Sequence, residues 1–459
     1  MSTIRNTGLF ILFIAILGSC RKSEVPSPQM KLVADKSEQF DVSSLALIPG
    51  KSVMIQGFYW NVPTGGTWWG VLQGKVASWG SAGITAVWLP PSTKCESGPN
   101  SVGYDPYDYF DFGNFNQKST TETRYGSKTE LTNLITAAHG AGLQVYADIV
   151  MNHNGGGAAQ ANPNTGGTTN TSFLPASGLF NRGYNDFHPS TFETADEGTF
   201  SSYVDLCHAN PYVQGWCYGN SNSIAQTYKA MGYDGWRFDF VPGFHSWVVK
   251  NWIAAAGGFS VAEYWNSNVT TIQNWIIGEG NTTSAFDFPC YYALEEAFIN
   301  NNLTALSTYA MLCKSNPSKA VTFVANHDIN NIYTNKLSAY AFIMAHEGTP
   351  CLFYRDYEEW LDKSKLNNLI WINRNLAAGT TTVLYADNDE YIARMSGTPG
   401  LVIYINNSGS SLSRSVTTNW TSAGIKDYTG NVTGTLTTSS AKTVTINAPA
   451  NSYSIWSTL

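Results

Sequence analysis

The chain is short of charge. Only 13% of its 459 residues are Asp, Glu, Lys or Arg, and 26 basic residues face 33 acidic ones. The formal net charge of -7 offers no positive footprint for phosphate, which argues against nucleic acid as the main partner. Long apolar runs are also missing. Beyond the N-terminal segment no stretch has the length of uninterrupted apolar residues that a transmembrane helix needs. There is no internal repeat and no strong low-complexity segment. Cysteine is sparse: after Cys20 come Cys95, Cys207, Cys217, Cys290, Cys313 and Cys351. An exported chain could pair them, but sequence does not choose among the pairings. Cys290 and Cys351 lie beside apolar, strand-like runs and read as buried thiols. Aromatics, by contrast, are plentiful, with 15 Trp, 25 Tyr and 22 Phe. Their faces suit the apolar faces of sugar rings, and they equally fill cores. With 43% hydrophobic residues the chain can bury a large core.

Residues 1–20 read as an export signal. Arg5 supplies the positive region, and 8–17 is apolar but too short to span a bilayer. Leu17-Gly18-Ser19-Cys20 resembles a bacterial lipobox, in which cleavage precedes the Cys and its thiol receives a diacylglycerol. That places the chain at the cell envelope (outer membrane or cell surface), touching the membrane only through Cys20. The competing reading is cleavage near Ser19, releasing a free secreted chain. Residues 21–49, with Pro26 and Pro28 and no period, read as a tether.

From Lys51 onward short apolar runs alternate with helix-period segments. The runs are 53–60, 84–90, 143–153, 232–240, 259–265, 285–289, 320–328 and 349–354. Most are continuous, as for parallel strands covered on both faces. Between them, Leu72, Val76 and Trp79 share one helical face over 68–79. Ser127 to Glu130 has capping-box spacing ahead of Leu131, Leu134, Ile135 and Ala138, and 361–376 closes the series. The pattern is α/β: a (β/α)8 TIM barrel over 50–153 and 209–378. Residues 154–208, rich in Gly, Asn, Thr and Ser, form a small loop-rich domain inserted after strand 3. Short alternating runs over 379–459 indicate a C-terminal antiparallel β-sandwich. A monomer is expected.

A barrel of this kind carries its site at the C-terminal ends of the strands. The third candidate strand ends in Asp148, Asn152 and His153, the fourth in Arg237 and Asp239, the fifth in Glu263 and the seventh in His327 and Asp328. Stability needs no charges there, and each costs desolvation unless paired or used. Two carboxylates on neighbouring strands are the equipment of a retaining glycosidase. On this reading Asp239 is the nucleophile, held ionised by Arg237 two residues earlier on the same side of the strand. Glu263 is the acid/base, its pKa raised by the apolar neighbours Val261, Tyr264 and Trp265. Asp328 stabilises the oxocarbenium-like transition state or grips ring hydroxyls, and His153 and His327 donate to hydroxyls. The opposing reading makes each a strand-end cap, which four clusters in barrel order argue against.

These residues resemble the α-amylase family of glycoside hydrolases, whose motifs stand here as Asp148…Asn152-His153, Gly235-Trp236-Arg237-Phe238-Asp239, Glu263 and His327-Asp328. The resemblance spans about 50–459. Residues 54–60, 88–91, 103–108 and 353–356 look most like the archaeal and plant-type subgroup. It implies retaining endo-hydrolysis of α-1,4-glucosidic bonds in starch- or glycogen-like polysaccharides through a covalent glycosyl-enzyme. The alternatives are a related transglycosylase, a maltooligosaccharide-forming hydrolase, or a catalytically dead glycan-binding protein. The resemblance also implies Ca2+ between barrel and insertion, at Asn152, Asp196, Asp205 and the carbonyls of Gly198 and Gly243. Some archaeal relatives hold Zn2+ on two His and a Cys. His188 and Cys207 match, but Glu193 stands at the second His, which argues against zinc. Tyr104 resembles the aromatic platform under the cleaved sugar, and Tyr59 and Trp60 either extend the cleft or belong to the core. After the nucleophile, Pro242-Gly243 stands where the family commonly has Lys and then His or Gly, leaving leaving-group contacts open.

Overall fold

The computed structural model describes residues 50–200 and 203–459. The export signal, Cys20 and the tether lie outside the described residues. Eight parallel strands close into a barrel: β1 (Met54–Gln56), β2 (Ala86–Trp88), β3 (Gln144–Ile149), β4 (Gly235–Phe238), β5 (Phe259–Ala262), β6 (Ser284–Phe286), β7 (Ala320–Phe323) and β8 (Thr349–Phe353). Each pairs with its sequence neighbours, and β1 closes on β8 with Gln56 opposite Phe353. All eight apolar runs contain a strand, and almost every strand residue is buried, as continuous apolar runs require of strands sealed by helices. The strands are shorter than the runs because the chain leaves the sheet at the rim.

The helices between them follow local chemistry. Ser127 caps Lys128–Gly140: its hydroxyl accepts from the Glu130 amide, and Glu130 accepts from the Ser127 amide. The capping box pairs two donors that a helix start leaves orphaned. Leu131, Leu134, Ile135 and Ala138 form the buried face. The helix expected over 68–79 is two helices, Trp68–Gln73 and Val76–Ala82, because the chain turns at Gly74 and Lys75. The last expected helix runs Lys363–Asn375, with Asp362 capping it.

Two small antiparallel ribbons lie in the segment after β3. One pairs His153–Asn154 with Val204–Asp205, and the other pairs Ala158–Asn162 with Gly167–Ser172. The first ribbon begins where β3's exit ends, so it ties the insertion to the barrel rim.

Beyond the barrel lies a six-stranded antiparallel sheet, in the order Thr381–Ala386, Glu390–Met395, Leu401–Asn406, Ser452–Thr458, Gly424–Asp427, Thr435–Thr437. Leu412–Thr417 and Thr443–Ala448 pair as a separate ribbon. Alternation along Leu401–Asn406 explains the layering. Leu401, Ile403 and Ile405 join the main core, while Val402 and Tyr404 pack with Val416 and Ile446 of the ribbon. Among the described residues no helix is long and apolar enough to cross a membrane.

Candidate active site and cation-binding junction

At the C-terminal rim, Arg237 stands in register with Asp148 across the β3–β4 pair. The backbone ladder continues one step past the strands: the Asp239 amide donates to Ile149 O at 3.0 Å and the Glu263 amide to Phe238 O at 2.9 Å. Both acids are therefore placed by the barrel itself rather than by a loop. The guanidinium gathers them. Arg237 Nη1 lies 2.8 Å from Asp148 Oδ1 and 2.8 Å from Asp239 Oδ1, and Nη2 lies 2.8 Å from Glu263 Oε1. Asp148 Oδ2 also accepts from Trp88 Nε1 at 3.0 Å and from the Tyr104 hydroxyl at 2.8 Å. Glu263 Oε2 accepts from the Phe240 amide at 3.2 Å. That amide points inward because Phe240 adopts a left-handed conformation, φ 41°, a strained choice for a residue with a Cβ.

The electrostatics differ from the expectation in two respects. Burial lifts Asp239 well above the usual carboxylate range against the pull of Arg237, with Glu263 and Asp148 adding to the rise. Burial likewise pushes Asp148 up to about 6 despite Arg237. Arg237 does bond Asp239, but one cation is shared among three acids and does not neutralise them all. Burial works against the guanidinium's own charge, yet Asp148 and Glu263 outweigh it and keep it protonated. Glu263, expected in apolar surroundings, instead contacts a guanidinium and an amide.

The remaining expected residues divide. His327 accepts at Nδ1 from Gln56 Nε2, 2.9 Å away, and its Nε2 stands 3.3 Å from Asp328 Oδ2. Burial, with Arg237 nearby, lowers its pKa to about 3, so the ring is neutral. The Asp328 side chain is partly exposed. Tyr104, His327 and Trp60 lie with near-parallel rings, and Trp60 is 43% exposed. Tyr59 instead packs among Trp68, Tyr354 and Arg355. His153 is fully buried; its Nε2 donates to the Tyr104 carbonyl, 3.0 Å away, and its ring lies under Phe200 and Tyr203. It steadies the Tyr104 segment rather than presenting a nitrogen at the exposed rim. Gln56, Trp88 and Phe240 were not singled out by sequence. The rule that strand ends build the rim reaches the first two, while a backbone amide leaves no sequence signal.

Where the insertion meets the rim, oxygens converge without partners. Asn152 Oδ1, both Asp196 oxygens and Asp205 Oδ1 are buried and accept no hydrogen bond. A Cβ on Gly243 would stand 2.0 Å from Asn152 Oδ1, and Gly198 faces Pro242 O and the Gly243 backbone. Burial and the neighbouring Asp205 lift Asp196 to about 7. His188 Nδ1 reaches Asp205 Oδ2 at 3.2 Å and Asp196 Oδ1 only at 3.9 Å, so four buried oxygens stay without a hydrogen bond; such oxygens are what a hard cation takes up, and these residues fit calcium. Beside them His188 Nε2 and Glu193 Oε2 also lack hydrogen-bond partners, 3.5 Å apart, with the Cys207 sulfur in the same cluster. Glu193 thus occupies a donor position despite not being His, and its other oxygen takes His245 Nε2 at 2.9 Å.

Comparison with known proteins bears on this geometry. The "Alpha amylase, catalytic domain" model matches residues 51–251, and the "Alpha-amylase C-terminal" model matches 401–457. An α-amylase of Geobacillus stearothermophilus is 30% identical over 88% of this chain and 85% of its own length. The chain belongs to the α-amylase family. A glucan 1,4-alpha-maltohexaosidase of Bacillus sp. (strain 707) is 31% identical over 66% of this chain and 70% of its own. Among solved structures, the α-amylase of Geobacillus thermoleovorans complexed with acarbose superposes with a TM-score of 0.67 at 17% identity. It covers 89% of this chain and 98% of that one, a likeness of fold. The chain is accordingly a glycoside hydrolase of the α-amylase family, a group acting on α-1,4-glucans.

Proposed function

We propose that this family member is a retaining endo-acting α-amylase that cuts internal α-1,4 bonds of starch-like glucans. The observation that carries the reading is the single guanidinium of Arg237, which holds Asp239 through one terminal nitrogen and Glu263 through the other, each at 2.8 Å. Two acids placed on one cation from adjacent strands suit a displacement in which one attacks and the other handles the proton.

In this mechanism Asp239, ionised, attacks the anomeric carbon while protonated Glu263 gives its proton to the departing glycosidic oxygen. Glu263 then takes a proton from a water whose oxygen attacks the anomeric carbon; the bond to Asp239 breaks, and the sugar leaves with its original configuration. Asp328 faces the positive charge that develops on the ring, with neutral His327 beside it, Nε2 3.3 Å from Oδ2. Tyr104, fixed to Asp148, offers its face to the sugar, with Trp60 beside it. Phe240 N–H holds the Glu263 carboxylate in place.

Asn152, Asp196, Asp205 and the carbonyls of Gly198 and Gly243 would hold calcium. The ion supplies positive charge that pins the insertion to the rim, since Asn152 lies just past β3 and the two acids lie in the insertion. His188, Glu193 and Cys207 would accept a second, softer cation. The archaeal and plant-type placement rests on the motifs alone. We also read the chain as a monomer exported and lipid-anchored through Cys20. Partition of wild type into detergent, lost in Cys20→Ser, tests the anchor.

The deciding experiment follows soluble starch by anomer-resolved NMR. The reading expects α-anomeric products of mixed length. Initial β-anomers would remove the retaining mechanism. A single short product released from one chain end would favour the exo-acting alternative, which the likeness to a maltohexaosidase keeps in view. Binding without any reducing sugar would make the barrel a glycan-binding module.

A further inference from the structure

Away from the rim, one buried carboxylate draws two cysteines together. Asp287 follows β6 and caps the helix Phe288–Ile299. Its Oδ1 accepts from the amides of Cys290 at 3.0 Å and Leu312 at 3.1 Å, and its Oδ2 accepts from the Cys313 amide at 2.7 Å. The backbones at both cysteines are thus pinned to the same group, although they belong to different helices. The two sulfurs and an Asp287 oxygen lie within 4.8 Å of one another. All three residues are buried. Both Asp287 oxygens are already engaged by backbone amides. Reactivity therefore remains with the sulfur pair, and the carboxylate serves as the clamp that fixes its spacing rather than as a metal ligand.

We propose that Cys290 and Cys313 close into a disulfide when the chain meets a disulfide oxidant such as glutathione disulfide or a dithiol–disulfide oxidoreductase. Its occurrence in the cell rests on the export proposed above. Two S–H bonds break and one S–S bond forms. The two electrons and two protons pass to the oxidant, whose own S–S bond becomes two thiols. The bond would staple the helix after β6 to the short helix Leu312–Ser315 that leads toward β7. It shortens the loops available to the unfolded chain and so favours the folded barrel.

The test refolds the full chain in a glutathione redox buffer, blocks free thiols, and digests it without reductant for mass spectrometry. A peptide pair joined through Cys290 and Cys313 is expected, and reductant should lower Tm by about 3–6 °C. The Cys290→Ser and Cys313→Ser variants should show no such response to reductant. Alkylation of both thiols in the oxidised sample, or a bond from either to another cysteine, overturns the pairing, and the wild-type digest decides this even where a variant folds poorly. Enzyme isolated from the cell envelope addresses the compartment separately. If it is reduced there while the refolded chain is linked, the exported location fails and the pair stands.

Discussion

The rim and the junction beside it are both built from buried acids, yet they are completed in different ways. At the rim, each oxygen of Asp148 and Glu263 meets a donor from the chain: Arg237, Trp88, Tyr104 or the Phe240 amide. At the junction, Asp205 Oδ2 takes His188 Nδ1 at 3.2 Å, while Asn152 Oδ1, both Asp196 oxygens and Asp205 Oδ1 are left without a hydrogen-bond partner. The acids of the first site are paired by the chain itself, although Arg237 Nε and Gln56 Oε1 beside them lack hydrogen-bond partners. The second asks for charge from outside. On the proposed reading the first site answers to the sequence and the second to solution conditions, and perturbing each in turn separates them.

The largest effect is expected at the rim. Asp239→Asn and Glu263→Gln should each lower kcat by about 1,000-fold or more with the melting curve little changed, because each removes a reacting group and leaves the fold's contacts. Activity near wild type in either variant, measured on soluble starch, would end the assignment. Arg237→Met should act on folding as well. It strands three carboxylates that share one buried cation, and loss of a buried partner costs about 3–5 kcal/mol. Urea denaturation with an unchanged midpoint would show that the acids do not depend on the guanidinium.

How much of this was legible from sequence follows the same division. The barrel strands stood out because parallel strands sealed on both faces read as unbroken apolar runs. Their ends were overestimated, as with 53–60 against Met54–Gln56, because the apolar character continues into loops packed on the rim. Phe288–Ile299 and Lys336–Met344 escaped notice as helices since they are buried on most sides and so lack a clear polar face. Thr381–Ala386, Glu390–Met395 and Gly424–Asp427 were missed because they carry polar or charged residues, among them Glu390, Arg394 and Asp427. The charged site residues were visible at strand ends. That Arg237 divides its charge among three acids, that His153 is buried beneath Phe200 and Tyr203, and that Phe240 contributes an amide are properties of packing with no one-residue signature.

The junction should respond to solution. A chelator is expected to lower Tm and added calcium to restore it, since an ion that binds only the folded chain contributes about 4 kcal/mol at a thousandfold excess over its Kd. Asp196→Asn with Asp205→Asn should abolish the response while leaving the rim acids in place. A wild-type melting curve indifferent to chelator and to calcium would remove the ion from the account and leave the unpartnered oxygens unexplained.

The smallest expected effect lies in the pH profile, and it tests the crowding of acids at the rim. On the proposed mechanism Asp239 works ionised. A carboxylic acid whose pKa is raised in the folded chain keeps its proton to higher pH, so the acid limb of kcat/KM should lie above the ordinary carboxylate range. Asp148 contributes to that rise as a like charge held on the same guanidinium. Asp148→Asn keeps a polar side chain in place while removing the charge, so Asp239 should lose its proton more readily and the limb should move to lower pH, by about one unit or less. The rate at the optimum should also fall, because Tyr104 and Trp88 lose a charged acceptor. The direction of the limb's movement separates the two effects. A shift toward higher pH would mean that Asp148 serves mainly to seat Arg237 against Asp239, and that the guanidinium is less evenly shared than the three 2.8 Å contacts indicate.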